Sequence, residues 1–245
     1  MDLDRNTLGL NLDAGVRSAF NNGFFYGLRV GVNSQTSYLQ GEDESGDSGN
    51  EEEEKEEFAF NSKFMNTTGK VNIGWSKKWG VSKISYSYLN QQIEIIEDES
   101  GMVQAENDEE EQRDRGMEAP YQYVSSHILS SENTVFTGQS KVKFNLAWQS
   151  NQLKEYEPLE NKKNELAIGL DLNVITYDVK CVSNEAKKFG VTFGSQGTVL
   201  ENKNNGMESL VPDADVTEFA AFTLLRYDIK KFNFLGGINN FVNFI

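Results

Sequence analysis

Residues 140–150, SKVKFNLAWQS, constrain this chain most, because apolar and polar side chains alternate there without a break. Val142, Phe144, Leu146 and Trp148 fall on one side at a period of two. Lys141, Lys143, Asn145, Ala147 and Gln149 fall on the other. Successive side chains of an extended chain point to opposite faces, so the spacing predicts a β-strand with one apolar and one wet face. Wound as a helix, Lys141 and Asn145 would share a side with Phe144 and Trp148, leaving no usable stripe. The apolar side must meet either a protein core or lipid.

The same alternation recurs along the chain. Residues 7–20 set Leu8, Leu10, Leu12, Ala14 and Val16 against Asn11, Asp13, Gly15 and Arg17. Asn21-Asn22-Gly23 then supplies a tight turn. Residues 24–40 repeat the pattern, with Tyr26, Leu28, Val30 and Val32 opposite Arg29 and Asn33. Further strands are read at Val71–Trp75, Ile84–Tyr88, 123–137, 140–150, 166–179, Val191–Phe193, 219–229 and 232–238. In 166–179 the apolar phase slips after Val174, which predicts a β-bulge there. The last strand fades after Ile238. Residues 41–60 and 97–118 each hold ten acids, 20 of the 38 in the chain, and read as solvated loops. Loops are also expected over 155–164 and 201–213.

The result is ten strands whose connections alternate short and long. No amphipathic helix separates them, which excludes a βαβ arrangement. A soluble sandwich does not sort its loops by length onto two ends. A transmembrane β-barrel does, with short periplasmic turns and long extracellular loops. The expectation is an all-β, antiparallel up-and-down meander of about ten strands, either a transmembrane barrel or an incomplete segment of a larger one. Phe24, Phe25, Trp75, Trp79, Phe232 and Phe234 near strand ends fit an interfacial girdle. Val142, Phe144, Leu146 and Trp148 would face lipid. Arg17, Arg29, Lys70, Lys83, Lys141, Lys143, Glu218 and Arg226 would face the lumen.

Several functions are excluded or unsupported. A formal charge of −15 offers no basic face for nucleic acid. One cysteine, Cys181, rules out an internal disulfide framework, and one histidine, His127, rules out zinc sites built from several His. His127 reads as an ordinary strand residue before it reads as a heme ligand. No nucleophile–base pair, phosphate loop or calcium loop motif is present, so no catalytic residue, metal or cofactor is expected. No apolar run is long enough for a transmembrane helix, and the first ten residues show no signal peptide.

Three stretches resemble the barrel of TonB-dependent receptors, the ligand-gated outer-membrane transporters of Gram-negative bacteria, particularly Bacteroidota-type members. They are IGWSKKWGVSKISYSY (73–88), APYQYVSSHILSSENTVF (119–136) and VPDADVTEFAAFTLLRYDIKKFNF (211–234). SKVKFNLAWQSNQLKEYEP is similar to a strand-and-loop segment of the same receptors. The resemblance implies uptake of a siderophore, heme, vitamin or glycan, with a plug domain and TonB as partners and the outer membrane as location. Such a barrel has about 22 strands. Ten strands without a plug imply a middle portion of the barrel, not competent for transport alone. A complete ten-stranded porin-like or adhesin-like barrel is the alternative. Pairing of the first strand with the last would distinguish the two.

Overall fold

The computed structural model describes residues 9–37, 61–96, 115–117, 119–158, 164–183 and 188–244. Ten strands follow one another: β1 (Gly9–Ala19), β2 (Phe24–Gln35), β3 (Phe64–Lys77), β4 (Gly80–Glu94), β5 (Tyr121–Thr137), β6 (Ser140–Pro158), β7 (Asn164–Val182), β8 (Phe189–Asn204), β9 (Ala214–Ile229) and β10 (Phe232–Phe244). They make one antiparallel sheet in sequence order, each strand hydrogen-bonded to its chain neighbours. Among the described residues β1 and β10 do not meet, so the sheet has two open edges.

Turn chemistry sets the registers. In the β1–β2 turn the Asn22 side chain accepts the Phe24 N–H at 2.9 Å, and Gly23 takes φ +85°. A side chain at Gly23 would lie 2.0 Å from the Ser76 carbonyl oxygen, because the Ser76 N–H donates to the Gly23 carbonyl at 2.7 Å. That glycine lets the turn pack against β3. Residues 78–79, 138–139 and 230–231 close the next three tight hairpins, the last two using Gly138 and Lys230 at φ +62° and +54°.

Because cross-strand partners share a face, the registers sort the sheet into two surfaces. Val142, Phe144, Leu146 and Trp148 pair with Cys181, Val179, Tyr177 and Ile175 on β7. Trp148 also continues through Leu129, Tyr86, Val71 and Leu28 to Val16. This apolar face is not covered by protein: Phe144 is 42% exposed, Leu146 44% and Trp148 40%. Among the described residues only Ala167, Ile168 and Ala220 are buried apolar side chains. The opposite, charged face carries Arg17, Arg29, Lys70, Lys83, Glu132, Lys143, Asp178, Lys180 and Glu218.

The bulge expected at Val174 is absent. Register runs unbroken through Gln149↔Val174 and Trp148↔Ile175. It shifts instead between Glu155 and Tyr156, which face Ile168 and Leu166, so Ala167 is the extra residue. The slip in apolar phase is a change of side. From Ile175 to Cys181 the apolar residues of β7 lie on the apolar face; Leu170, Leu172 and Val174 lie on the opposite one, where Asp171 and Asn173 leave it.

Neighbouring strands show the same reversal toward the long-loop end. There Ser125, Ser150, Gln152 and Lys154 succeed the apolar row, while Val124, Ile128 and Leu153 lie behind them. On β5–β7 the residues near the tight turns thus have one polarity and those near the long loops the reverse, whereas β1 and β2 keep Leu10, Leu12, Val30 and Val32 on the apolar face throughout.

Other boundaries also move. β3 begins at Phe64, β6 runs to Pro158, β8 to Asn204, and β10 continues to Phe244, paired with Thr217. β2 ends at Gln35. The acidic stretch 41–60 lies outside the described residues, as does 97–118 apart from 115–117.

Candidate functional site

The charged face is the candidate site. All eight residues singled out on it, Arg17, Arg29, Lys70, Lys83, Lys141, Lys143, Glu218 and Arg226, share it, and the Val142–Trp148 row lies on the other side. They do not form one cluster. They occupy three zones of the sheet, and acidic residues that the sequence did not single out organise them.

On β1–β3, Arg29 donates from Nε to both Asp13 carboxylate oxygens at 3.0 Å and from Nη2 to Oδ2 at 2.5 Å. Lys70 stands directly opposite Arg29 on β3, and Arg17 stands diagonal to it on β1. These residues wall a trough of about 340 Å³, floored by Gly15 and Gly27 and closed by Asn72.

On β4–β7 two ion pairs stand on this face. Lys83 Nζ lies 2.8 Å from Glu132, its direct cross-strand partner. Lys180 lies 2.9 Å from Asp178, whose other contact is the Asn145 amide, donating at 3.2 Å. Beyond them a groove of about 430 Å³ runs over β5–β10, with Glu132, Asn145, Asp178, Gln196, Glu218 and Phe241 along it. Its floor is of short side chains, Ser130, Ala147, Thr176 and Thr198, three of them hydroxylated. Near the turns, Lys141 faces Val182, Lys143 faces Lys180, and Arg226 reaches Asp228 at 3.2 Å.

The apolar face holds the aromatic residues unevenly. Phe20, Phe24, Tyr26 and Trp75 cluster at the β1–β2 turn, with Phe24 and Trp75 ring centres 5.1 Å apart. Phe232 and Phe234 lie on the same face at the β9–β10 turn, at the far edge of the sheet, paired with Ile229 and Tyr227. Phe25 does not belong to this girdle: it lies on the charged face, over Gly74. His127 is on the apolar face between Tyr86 and Tyr88; its Nδ1 is hydrogen-bonded to the Tyr86 hydroxyl at 2.7 Å and its Nε2 lies 3.4 Å from the Ser125 hydroxyl. Among the described residues no group of three or more His, Cys, Asp or Glu side chains is placed to hold a metal.

At the long-loop end, residues 205–208 fold back on β7. Asn205 and Glu208 donate their N–H groups to the Gly169 and Ala167 carbonyls at 2.8 Å. This covers Ala167 and Ile168, where β8 has already ended. Asp213 closes the loop by accepting the Asn204 backbone N–H at 2.8 Å and its side-chain amide at 2.7 Å. These bonds hold the Asp213 carboxyl below the ordinary value.

Asp178 and Asp228 have the parity of their basic partners Lys180 and Arg226 in their own strands, a signal the sequence carried, whereas Asp13 and Glu132 meet Arg29 and Lys83 on neighbouring strands. Which acid meets which base depends on register, which alternation alone does not number.

No family model matches the sequence, and no curated protein matches it. The fold is similar to the solved structure of the ferric citrate transporter FecA in the unliganded form, with a TM-score of 0.58 at 10% identity. The match covers 97% of this chain and 35% of that one, so the chain spans about a third of that protein's length. At this identity the likeness is one of fold: this ten-stranded antiparallel meander is folded like about a third of that chain.

Proposed function

We propose that the chain forms part of the wall of a large outer-membrane β-barrel, a TonB-dependent receptor that takes up a scarce solute such as a siderophore, heme, vitamin or glycan. The Val142–Trp148 row and its neighbours then face lipid, and the eight charged-face residues face the lumen. The observation that carries the reading is the exposed apolar face. A water-soluble sheet of this length would bury Phe144, Leu146 and Trp148 against a second layer, because leaving such side chains in water forfeits roughly 1.5–3 kcal/mol each. Strand lengths agree, since a membrane-crossing strand needs about 9–11 residues and the shortest here has 11.

The open edges favour the partial-wall reading over a closed ten-stranded barrel. An unpaired edge in a bilayer leaves N–H and C=O groups without partners, so further strands must cover β1 and β10. A plug domain and TonB would then act with the completed barrel, in the outer membrane of a Gram-negative cell. The ten strands alone should give no growth rescue of an uptake mutant.

Trp75 and Trp148 on the apolar face make the lipid assignment measurable. In bilayers of brominated lipid their fluorescence should be strongly quenched. Emission unchanged by bromine on any acyl position would sink the proposal.

A further inference from the structure

We propose that the trough between β1, β2 and β3, walled by Arg17, Arg29 and Lys70, binds a soluble polyanion carrying at least two phosphate or carboxylate groups. The inference stands on register and side-chain placement, independently of the transport reading.

Its first support is an apposition of like charges that one carboxylate relieves only in part. Arg29 and Lys70 are direct cross-strand partners, the arrangement that destabilises a sheet when nothing offsets it. Elsewhere on the same face Lys83 is directly opposite Glu132, 2.8 Å away, and Lys143 is opposite a Lys180 held by Asp178, but neither place gathers three cations around a side-chain-free floor. In the trough the one carboxylate, Asp13, is turned onto the Nε and Nη2 edge of Arg29. Arg17 and Lys70 make no ion pair among the described residues. Three cations therefore answer to one carboxylate, in a chain whose overall charge is −15.

The second support is shape. Gly15 and Gly27 leave the floor without side chains between the three cations. A Cβ at Gly27 would come within 2.7 Å of the Asn72 amide oxygen, and one at Gly15 within 3.1 Å of the Leu28 carbonyl oxygen. The open space, about 340 Å³, lies within the range of small-molecule sites. Arg17 retains its planar fork for a bidentate oxyanion, Lys70 acts as a point charge, and the Asn72 amide adds a neutral donor. A single monoanion would neutralise only one of the two uncompensated cations, hence the need for two anionic groups.

The test uses the full chain folded in zwitterionic detergent micelles, titrated calorimetrically with inorganic pyrophosphate. One saturable site is expected, weakened roughly tenfold by Lys70→Met and by Arg17→Met. Lys78→Met, in the β3–β4 turn, should change nothing. Asp13→Asn should tighten binding several-fold by freeing Arg29, a gain that a purely structural role of Asp13 would not produce. Far-UV circular dichroism checks that each variant keeps its sheet; if one is lost, the remaining variants decide. Absence of a saturable site, an equal loss with Lys78→Met, or binding of micelles doped with phosphatidylglycerol in place of pyrophosphate would each overturn the proposal.

Discussion

The two ends of β6 and β7 belong to one unbroken pair of strands and yet are built for different surroundings. Near the tight turns, Phe144, Leu146, Ile175 and Tyr177 stand on one face, with Asn145, Thr176 and Asp178 behind them. Near the long loops Ser150, Gln152, Asn173 and Asp171 occupy that first face, and Leu153, Leu170, Leu172 and Val174 lie behind. Each strand has 19 residues, whereas crossing a membrane takes about 9–11. On the proposed reading, length and polarity both suit the first half to lipid outside and water within. The second half has the polarity of an ordinary soluble sheet. A β-ladder accepts both because its hydrogen bonds are indifferent to which face is wet.

That comparison breaks most sharply with a charge. Leu146→Arg should cost roughly 2–4 kcal/mol if Leu146 lies near the bilayer midplane, and Ser150→Arg, one full turn of the pleat beyond Trp148, roughly 0–1 kcal/mol. Reversible urea unfolding in lipid vesicles measures both. Equal costs would mean that the polarity change does not mark the membrane surface.

Strand existence was legible in the sequence because period-two alternation is a local signal: Val142–Trp148 specifies its own faces. The change of side in β7 was legible too, but ambiguous. Leu170, Leu172 and Val174 followed by Ile175, Tyr177 and Val179 is what either a bulge or a change of solvent writes, and only pairing to β6 separates them. The true bulge at Ala167 left no trace, because Leu-Ala-Ile is apolar in any phase. β10 was cut short at Ile238 since Asn239 and Asn240 break the pattern, although Asn240 still pairs with Ala221. For the site, the sequence supplied the cations and missed their grouping. Arg29 and Lys70 are 41 residues apart, with residues 41–60 between them, and nothing local numbers that register.

The second prediction concerns what replaces lipid at the loop end. There the chain shelters its own backbone: Gly206 sits against β7 so closely that a Cβ would lie 2.4 Å from the Ala167 carbonyl oxygen and 2.5 Å from the Gly169 nitrogen. Gly206→Ala should therefore push residues 205–208 off the bulge, at a cost of about 1–3 kcal/mol as for other overpacked contacts. Amide exchange should quicken at Asn205, Glu208 and 166–169 and stay unchanged over 175–181. Exchange rising equally in both halves would show that the two are not independent units.

The smallest effect is a titration confined to the same end. Asp213 is fully exposed, and its carboxyl is held below the ordinary 3.8 chiefly by the Asn204 side-chain amide, then by the Asn204 backbone N–H, with Lys203 nearby adding to it. A carboxyl whose folded value is lowered stabilises the fold above its unfolded value, and loses that contribution as pH falls through the folded one. Between about pH 5 and about pH 3, exchange at the Asn204 amide, corrected for its intrinsic pH dependence, should therefore rise as the Asp213 bonds weaken. Asp213→Asn keeps an acceptor that does not titrate, so it should flatten the response. Amides of the β6–β7 ladder near the tight turns should not follow it. An Asn204 amide indifferent to acid in the unmodified chain would mean that the bonds to Asp213 do not hold the loop, and that the Asn205 and Glu208 N–H bonds to the Gly169 and Ala167 carbonyls hold it without them.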